Sequence, residues 1–287
     1  MKKSVIVILF LLLSVTSFWA DNLRVELKEL SNSLSSYKII DVRKNSDFLE
    51  SHIKGALNLP SNLTYENKSL NGQITAPGKM QEILRNLGLN VLDKIVVYDD
   101  GTFFDASRVF WTLEVYGFKN VKLLNGGFDF WKELGFNTSS DLLEVEKSDY
   151  IASLDNKKLA TKFSTQIAIR SKSSTIIDAR DYNSYVGKES AAKRFGHIPE
   201  AINLPAINNI KKDLFKATLK DINELKEIYK DVDKNKKVVL YCSIGKIATT
   251  NYFALRELGY DVANYDASWK EWGNDITLPI VNLSKKD

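Results

Sequence analysis

The sequence predicts an α/β fold built twice in one chain, each unit a parallel sheet with helices on both faces. Three observations predict it: an internal repeat, an alternation of short apolar runs with helical stretches, and matching polar motifs at the ends of those runs.

Four paired landmarks carry the repeat. Lys38-Ile-Ile-Asp-Val-Arg43 is answered by Thr175-Ile-Ile-Asp-Ala-Arg180, and His52-Ile-Lys-Gly-Ala-Leu-Asn-Leu-Pro60 by His197-Ile-Pro-Glu-Ala-Ile-Asn-Leu-Pro205. Val96-Val-Tyr-Asp99 corresponds to Val239-Leu-Tyr-Cys242, and Phe130-Trp-Lys-Glu-Leu-Gly135 to Ser268-Trp-Lys-Glu-Trp-Gly273. The four landmarks recur in one order, displaced by 137 to 145 residues. Loop length accounts for the spread, mainly around Tyr185–Arg194.

Short apolar runs read as buried strands: Ile39–Val42, Ile95–Tyr98 and Val121–Leu124, then Ile176–Ala179, Val238–Tyr241 and Val262–Tyr265. Met80–Leu87 and Ala106–Tyr116 read as helices, the second closed by Gly117. In the second unit Ile247, Ala254 and Leu258 share one helical face, and Gly259 ends that helix. The polar stretch from Thr138 is the expected linker. The division is 21–137 for the first unit, 138–164 for the linker and 165–287 for the second unit.

Residues 1–20 stand apart. Lys2 and Lys3 precede a charge-free stretch, Ser4 to Ala20, of 17 residues, and Asp21 reopens polar sequence. This is the layout of a secretory signal peptide, so export to a periplasm or the exterior is expected, with an uncleaved membrane anchor as the alternative. Its removal lowers the formal net charge from +4 to +2. That balance, without a dense basic run, does not suggest nucleic-acid binding.

Cys242 is the only cysteine, so no internal disulfide can form. It ends a predicted strand, and Cys242-Ser-Ile-Gly-Lys-Ile-Ala248 then turns into a helix. Ligands of open parallel sheets bind beyond the carboxyl ends of the strands. Backbone N–H groups of Ser243, Ile244, Gly245 and Ile247 can curl around the sulfur, Gly245 permitting a tight path. The helix N-terminus and Lys246 add positive charge that favours thiolate, the nucleophilic form. The plainer alternative is a small apolar residue packed at a strand end.

The repeat, the Asp-x-Arg strands, the His-Ile-x-x-Ala-x-Asn-Leu-Pro segments and the Cys-x-x-Gly loop together resemble the tandem-domain rhodaneses, the thiosulfate and 3-mercaptopyruvate sulfurtransferases. Val97-Tyr-Asp-Asp-Gly101 and Asn125-Gly-Gly-Phe-Asp-Phe-Trp131 fit as well. The resemblance covers roughly residues 23–277. It implies two tandem rhodanese-like domains and a Cys242 persulfide formed from a small-molecule donor. Cyanide or a thiol then removes the sulfur. Asp99 stands where the second unit has Cys242, so the first unit is an inactive structural partner, with the site near the interface. No cofactor and no metal are expected.

Arg180 and Arg194 match positions where such enzymes hold cations near the substrate anion, although Arg180 can instead pair with Asp178. His52 and His197 occur in both units, so a structural role is simpler; Trp131 and Trp269 read as core anchors, and Asp41 and Asp178 as fixing loops. Ser243-Ile-Gly-Lys246 matches neither donor class closely. Lys246 tilts the expectation toward the thiosulfate dianion. Two rivals stand beside the transferase. A cysteine phosphatase of related fold requires an arginine six residues after the cysteine, where this chain has Ala248. An exported module that binds or carries sulfur without turnover is the other.

Overall fold

The computed structural model describes residues 22–213 and 216–284. The expected signal segment, 1–20, lies outside the described residues. No helix among those described is long and apolar enough to cross a membrane.

The first unit supplies β1 (Arg24–Glu26), β2 (Lys38–Asp41), β3 (His52–Ile53), β4 (Ala56–Asn58), β5 (Ile95–Tyr98), β6 (Val121–Asn125) and β7 (Thr138–Ser139). Its helices are α1 (Leu27–Ser31), α2 (Asn45–Glu50), α3 (Pro77–Asn86), α4 (Phe104–Val115) and α5 (Gly127–Glu133). Five strands form a parallel sheet in the order β1-β6-β5-β2-β4. In the second unit the strands are β8 (Leu159–Ala160), β9 (Ser174–Asp178), β10 (Ala201–Asn203), β11 (Ile210–Asp213), β12 (Lys216–Leu219), β13 (Lys237–Tyr241) and β14 (Val262–Tyr265). Its helices are α6 (Lys162–Ser171), α7 (Tyr182–Val186), α8 (Ile222–Ile228), α9 (Ala248–Glu257) and α10 (Ser268–Trp272). The sheet order, β8-β14-β13-β9-β10, reproduces that of the first unit strand for strand, and every pair is parallel. An antiparallel hairpin, β11–β12, is an addition the repeat did not announce.

The apolar runs are buried on both faces, as parallel strands covered by helices must be. Alternate residues of β2, β5 and β6 divide between two cores: Ile39, Val96 and Leu124 face one way, Ile40, Val97 and Leu123 the other. The second sheet alternates likewise, with Ile176 and Val239 opposite Ile177, Val238 and Leu240. The inner faces share one continuous core across the units, and Cys242 belongs to it.

Helices α4 and α9 meet at the centre of that core. Phe110 and Phe253 pack edge to face, ring centroids 5.0 Å apart. Ser107 Oγ lies 3.0 Å from the hydroxyls of both Thr249 and Thr250. Glu114 accepts from Tyr252 (2.5 Å) and Arg256 (3.0 Å) and pairs with Lys158 (3.2 Å). Burial alone raises a carboxyl, but these partners outweigh it and hold Glu114 below its ordinary value. Arg24 of β1 closes the same interface on Glu257 of α9, Nε to Oε1 2.9 Å.

The connection between the sheets is shorter than the span 138–164. Thr138 and Ser139 pair with β3 of the first unit, and Leu159–Ala160 form the edge strand of the second sheet. Polar composition marked the whole stretch because edge strands two residues long leave too few apolar positions to read.

Candidate active site

Cys242 follows β13 and is 1% exposed. Its N–H donates to Ser268 Oγ (3.1 Å), and its carbonyl accepts from Trp269 N (2.9 Å). Lys270 N continues the zipper to the Ser243 carbonyl at 2.9 Å. In the first unit Phe128 N donates to the Asp99 carbonyl (2.8 Å) and Asp129 N to that of Asp100 (3.2 Å). Asp99 and Cys242 are therefore structurally equivalent positions, and so are Phe128 and Trp269, which shifts the fourth landmark of the repeat by three residues: Trp131 answers Trp272 rather than Trp269.

Their side chains differ in a way that exposes what the turn is built to hold. The Asp99 carboxylate accepts from the backbone N–H of Gly101 (2.9 Å), Phe103 (3.2 Å) and Ala106 (3.2 Å), and from Thr102 Oγ1 (3.3 Å). It occupies its own loop's N–H cradle. Burial is the largest cause lifting that carboxyl to about 6, with Asp100 adding and the N–H groups opposing. Around Cys242 the N–H groups of Ser243, Ile244, Gly245, Lys246 and Ile247 have no acceptor among the described residues. They precede α9, whose N-terminus adds partial positive charge. Gly245 makes the path possible. Its φ is +65°, and a Cβ there would stand 2.3 Å from the Asp266 carbonyl oxygen.

The first unit covers this loop. Arg108 of α4, fully buried, donates to Thr64 Oγ1 (3.2 Å), to the carbonyls of Thr64 (3.1 Å) and Gly72 (3.0 Å), and across the interface to that of Gly245 (3.2 Å). Gly72 packs so closely that a Cβ would fall 1.8 Å from the Ile244 oxygen. Ile74 N donates to Asp266 Oδ2 (2.6 Å). Burial raises the Asp266 carboxyl to about 6, against the opposing charge of Arg108. None of Arg108, Gly72 or Asp266 was singled out from sequence. Arg108 carried a faint signal, a lone cation inside an apolar helical stretch; Gly72 and Asp266 carried none.

The remaining predicted residues divide. Ser243, Ile244, Gly245 and Ile247 form the turn with Cys242, and Ile247 also packs on the shared core. Arg180 is held at the end of β9. It is 1% exposed, and donates to Asp178 through Nε (2.9 Å) and Nη2 (2.5 Å) and to the Gly196 carbonyl (2.7 Å). Its Nη1 has no hydrogen-bond partner among the described residues, and the guanidinium lies over Trp269, 4.7 Å from a ring centroid. Arg43 repeats this arrangement on Asp41 and the Ser51 carbonyl (2.7 Å), in a unit without a cysteine. Tyr241 and Tyr98 donate to the same aspartates at 2.7 and 2.6 Å. Pairing with Asp178, the alternative kept for Arg180, is the contact the structure contains, and Nη1 alone is left without a partner among the described residues.

Arg194 is spent as well. Its guanidinium donates to the carbonyls of Gly273 (3.2 Å), Leu278 (2.7 Å) and Trp272 (2.8 Å), and to that of Asp275, tying down the C-terminal segment. Lys246 forms an ion pair with Asp105 of the first unit at 2.7 Å. Together they line a cavity at the end of the first sheet with Arg43, Asp99 and Asp100. The charge of Lys246 is thus compensated, which removes the reason to favour thiosulfate. The histidines behave alike in both units. His52 stacks on Phe48 and contacts its carbonyl through Nδ1 (2.7 Å); His197 stacks on Tyr185 and does the same (2.8 Å). Among the described residues no cluster of ligands fit for a metal occurs.

The sequence profile of the rhodanese-like domain matches twice, over residues 25–134 and 162–275. A putative thiosulfate sulfurtransferase 1 of Mycobacterium bovis is 31% identical over 265 residues, 87% of this chain and 94% of that one. The 3-mercaptopyruvate sulfurtransferase of Escherichia coli is 28% identical over 243 residues, 82% and 84% of the two chains. The crystal structure of SseA from Escherichia coli, described as a 3-mercaptopyruvate sulfotransferase, superposes with a TM-score of 0.77 at 25% identity, covering 86% of this chain and 99% of that one. EanB in complex with ergothioneine shares the fold, at a TM-score of 0.80 and 20% identity, covering 92% and 71%. With both units matched and the sheets repeated strand for strand, the chain belongs to the rhodanese family as a tandem of two rhodanese-like domains.

Proposed function

We propose that the protein is a sulfurtransferase that carries sulfane sulfur on Cys242. The observation that carries this reading is the contrast between two equivalent turns. In the first unit a carboxylate fills the N–H cradle, which marks the turn as an anion holder. In the second the cradle's N–H groups are uncommitted and a thiol stands at the same position. An anionic sulfur, thiolate or persulfide, is the species this arrangement stabilises.

The Cys242 thiolate attacks the outer sulfur of the donor, and the donor's bond to that sulfur breaks with its electron pair on the leaving group. A cyanide or thiol acceptor then takes the outer sulfur and restores the thiolate. Thiosulfate and 3-mercaptopyruvate both remain donors in this proposal, because Lys246 is paired and Arg180 and Arg194 are engaged. The work is done outside the cytoplasm, as the layout of residues 1–20 suggests.

Cyanolysis by the purified chain and by Cys242→Ser tests the reading. Thiocyanate production that disappears in the variant is the expected result; hydrolysis of a phosphate ester instead would sink it. One observation favours a second reading, a sulfur carrier without turnover: the thiol is almost wholly covered. Persulfide formation with no acceptor turnover would support that alternative.

A further inference from the structure

Tyr65 follows the short turn Ser61–Thr64 and bridges Ile74 in antiparallel pairing. It is 3% exposed, and its hydroxyl has no hydrogen-bond partner among the described residues. The other buried tyrosines, Tyr98, Tyr116, Tyr150, Tyr229, Tyr241, Tyr252 and Tyr265, each donate to an acceptor. A buried hydroxyl without a partner costs stability, and such exceptions call for a reason.

The surroundings of Tyr65 supply one. The Arg108 guanidinium lies 4.3 Å from its ring centroid and, from the same side chain, donates to Gly245 in the cysteine turn. Gly72, later in the same segment, touches Ile244, and Ile74, its bridge partner, is bound to Asp266. The ring is therefore clamped at a segment fastened to the Cys242 loop. Burial, the largest cause, pushes the hydroxyl up to about 12; Arg108 opposes, and the charges of Cys242, Asp105 and Asp266 add to the rise. The unpartnered hydroxyl thus sits on the segment of the first unit that Arg108 and Gly72 hold against the Cys242 turn.

We propose that Tyr65 is a catalytic residue supplied by the first unit, its hydroxyl donating a hydrogen bond to the sulfur that Cys242 receives. The inference rests on the sulfur-transfer reading and deepens it. With thiosulfate, the Cys242 thiolate bonds to the outer sulfur while the sulfur–sulfur bond of the donor breaks and sulfite leaves with the pair. Negative charge then resides on the terminal sulfur of the persulfide. Tyr65 keeps its proton throughout and solvates that charge where water is excluded. The incoming sulfur supplies the acceptor that the resting protein lacks.

The test follows the mass of the full chain during rapid mixing with saturating thiosulfate or 3-mercaptopyruvate, for wild type and Tyr65→Phe, alongside urea unfolding of both. Phe keeps the ring over Arg108 and removes only the hydroxyl. Persulfide loading slows about 10- to 100-fold, while KM changes little and the unfolding midpoint stays at or above wild type. Slower chemistry without loss of stability is a combination that a merely structural tyrosine does not produce. Loading within twofold of wild type, or slowing that tracks a lowered midpoint, overturns the role of Tyr65 and leaves the transferase standing. Wild type that loads from neither donor overturns both.

Discussion

Arg108 of the first unit donates from Nη1 to the carbonyl oxygen of Gly245, three residues beyond Cys242, at 3.2 Å. A single buried side chain thereby joins the first unit to the cysteine turn of the second. Its other donors hold Thr64 and Gly72, so the segment over the turn and the turn itself share one cation.

Replacing Arg108 with Leu leaves the Gly72 carbonyl without a donor among the described residues, and leaves the carbonyls of Thr64 and Gly245 with only their bonds from Thr75 N and Asn264 Nδ2. The expected cost is about 3–5 kcal/mol, read from urea unfolding. Arg108→Lys keeps the charge but not the fork, so it is expected to recover only part of the stability. Full stability in Arg108→Leu would mean that the inter-unit bond contributes nothing.

Two locks, Asp41–Arg43 and Asp178–Arg180, test whether Arg180 has any role beyond structure. Each aspartate also accepts from a tyrosine, and Asn58 and Asn203 bind the carbonyls beside them. Arg43→Met and Arg180→Met are both expected to destabilise the chain by about 3 kcal/mol or more. The activity remaining per folded molecule is expected to be similar in the two. A loss confined to Arg180→Met, with KM raised for anionic donors, would restore the substrate contact.

Asp266 makes stability depend on pH. Its carboxyl rises from 3.8 to about 6 on folding, so between those values the native state holds more protons than the unfolded chain. Stability from this group is present below about pH 4 and declines as pH rises through 6, by up to about 3 kcal/mol. Asp266→Asn removes the titration. Relative to wild type, the variant is expected to gain stability between pH 4 and pH 7, measured by denaturant unfolding at both. A difference independent of pH would contradict the assignment.

Lys246 and Asp105 are each partly exposed, so Asp105→Asn is expected to cost less than about 1 kcal/mol. It frees a cation four residues from the thiol. The ratio of kcat/KM for thiosulfate to that for 3-mercaptopyruvate is expected to rise a few-fold and to fall again in high salt. An unchanged ratio would show that Lys246 does not act on the donor.

Much of this architecture was legible because parallel strands must be apolar on both faces. Ile95–Tyr98 and Val262–Tyr265 therefore read directly as strands. The repeat then placed Cys242 opposite Asp99, and the bonds from Trp269 and Phe128 reproduce that pairing. What stayed hidden depends on distance along the chain. Arg108 and the segment from Tyr65 to Ile74 reach the cysteine turn only through packing of one unit on the other, and Asp266 reaches it from the end of the neighbouring strand β14; no local spacing encodes either. Arg180 was legible only as a pair of alternatives, because a strand-end arginine looks the same in sequence whether it faces a substrate or the aspartate two residues earlier.

The central claim is that Cys242 carries sulfur. The mass of the intact chain after incubation with thiosulfate or with 3-mercaptopyruvate tests it most directly. The account predicts a gain of one sulfur atom with at least one donor, reversed by cyanide and missing in Cys242→Ser. An unchanged mass with both donors, in folded protein with a free thiol, would contradict it.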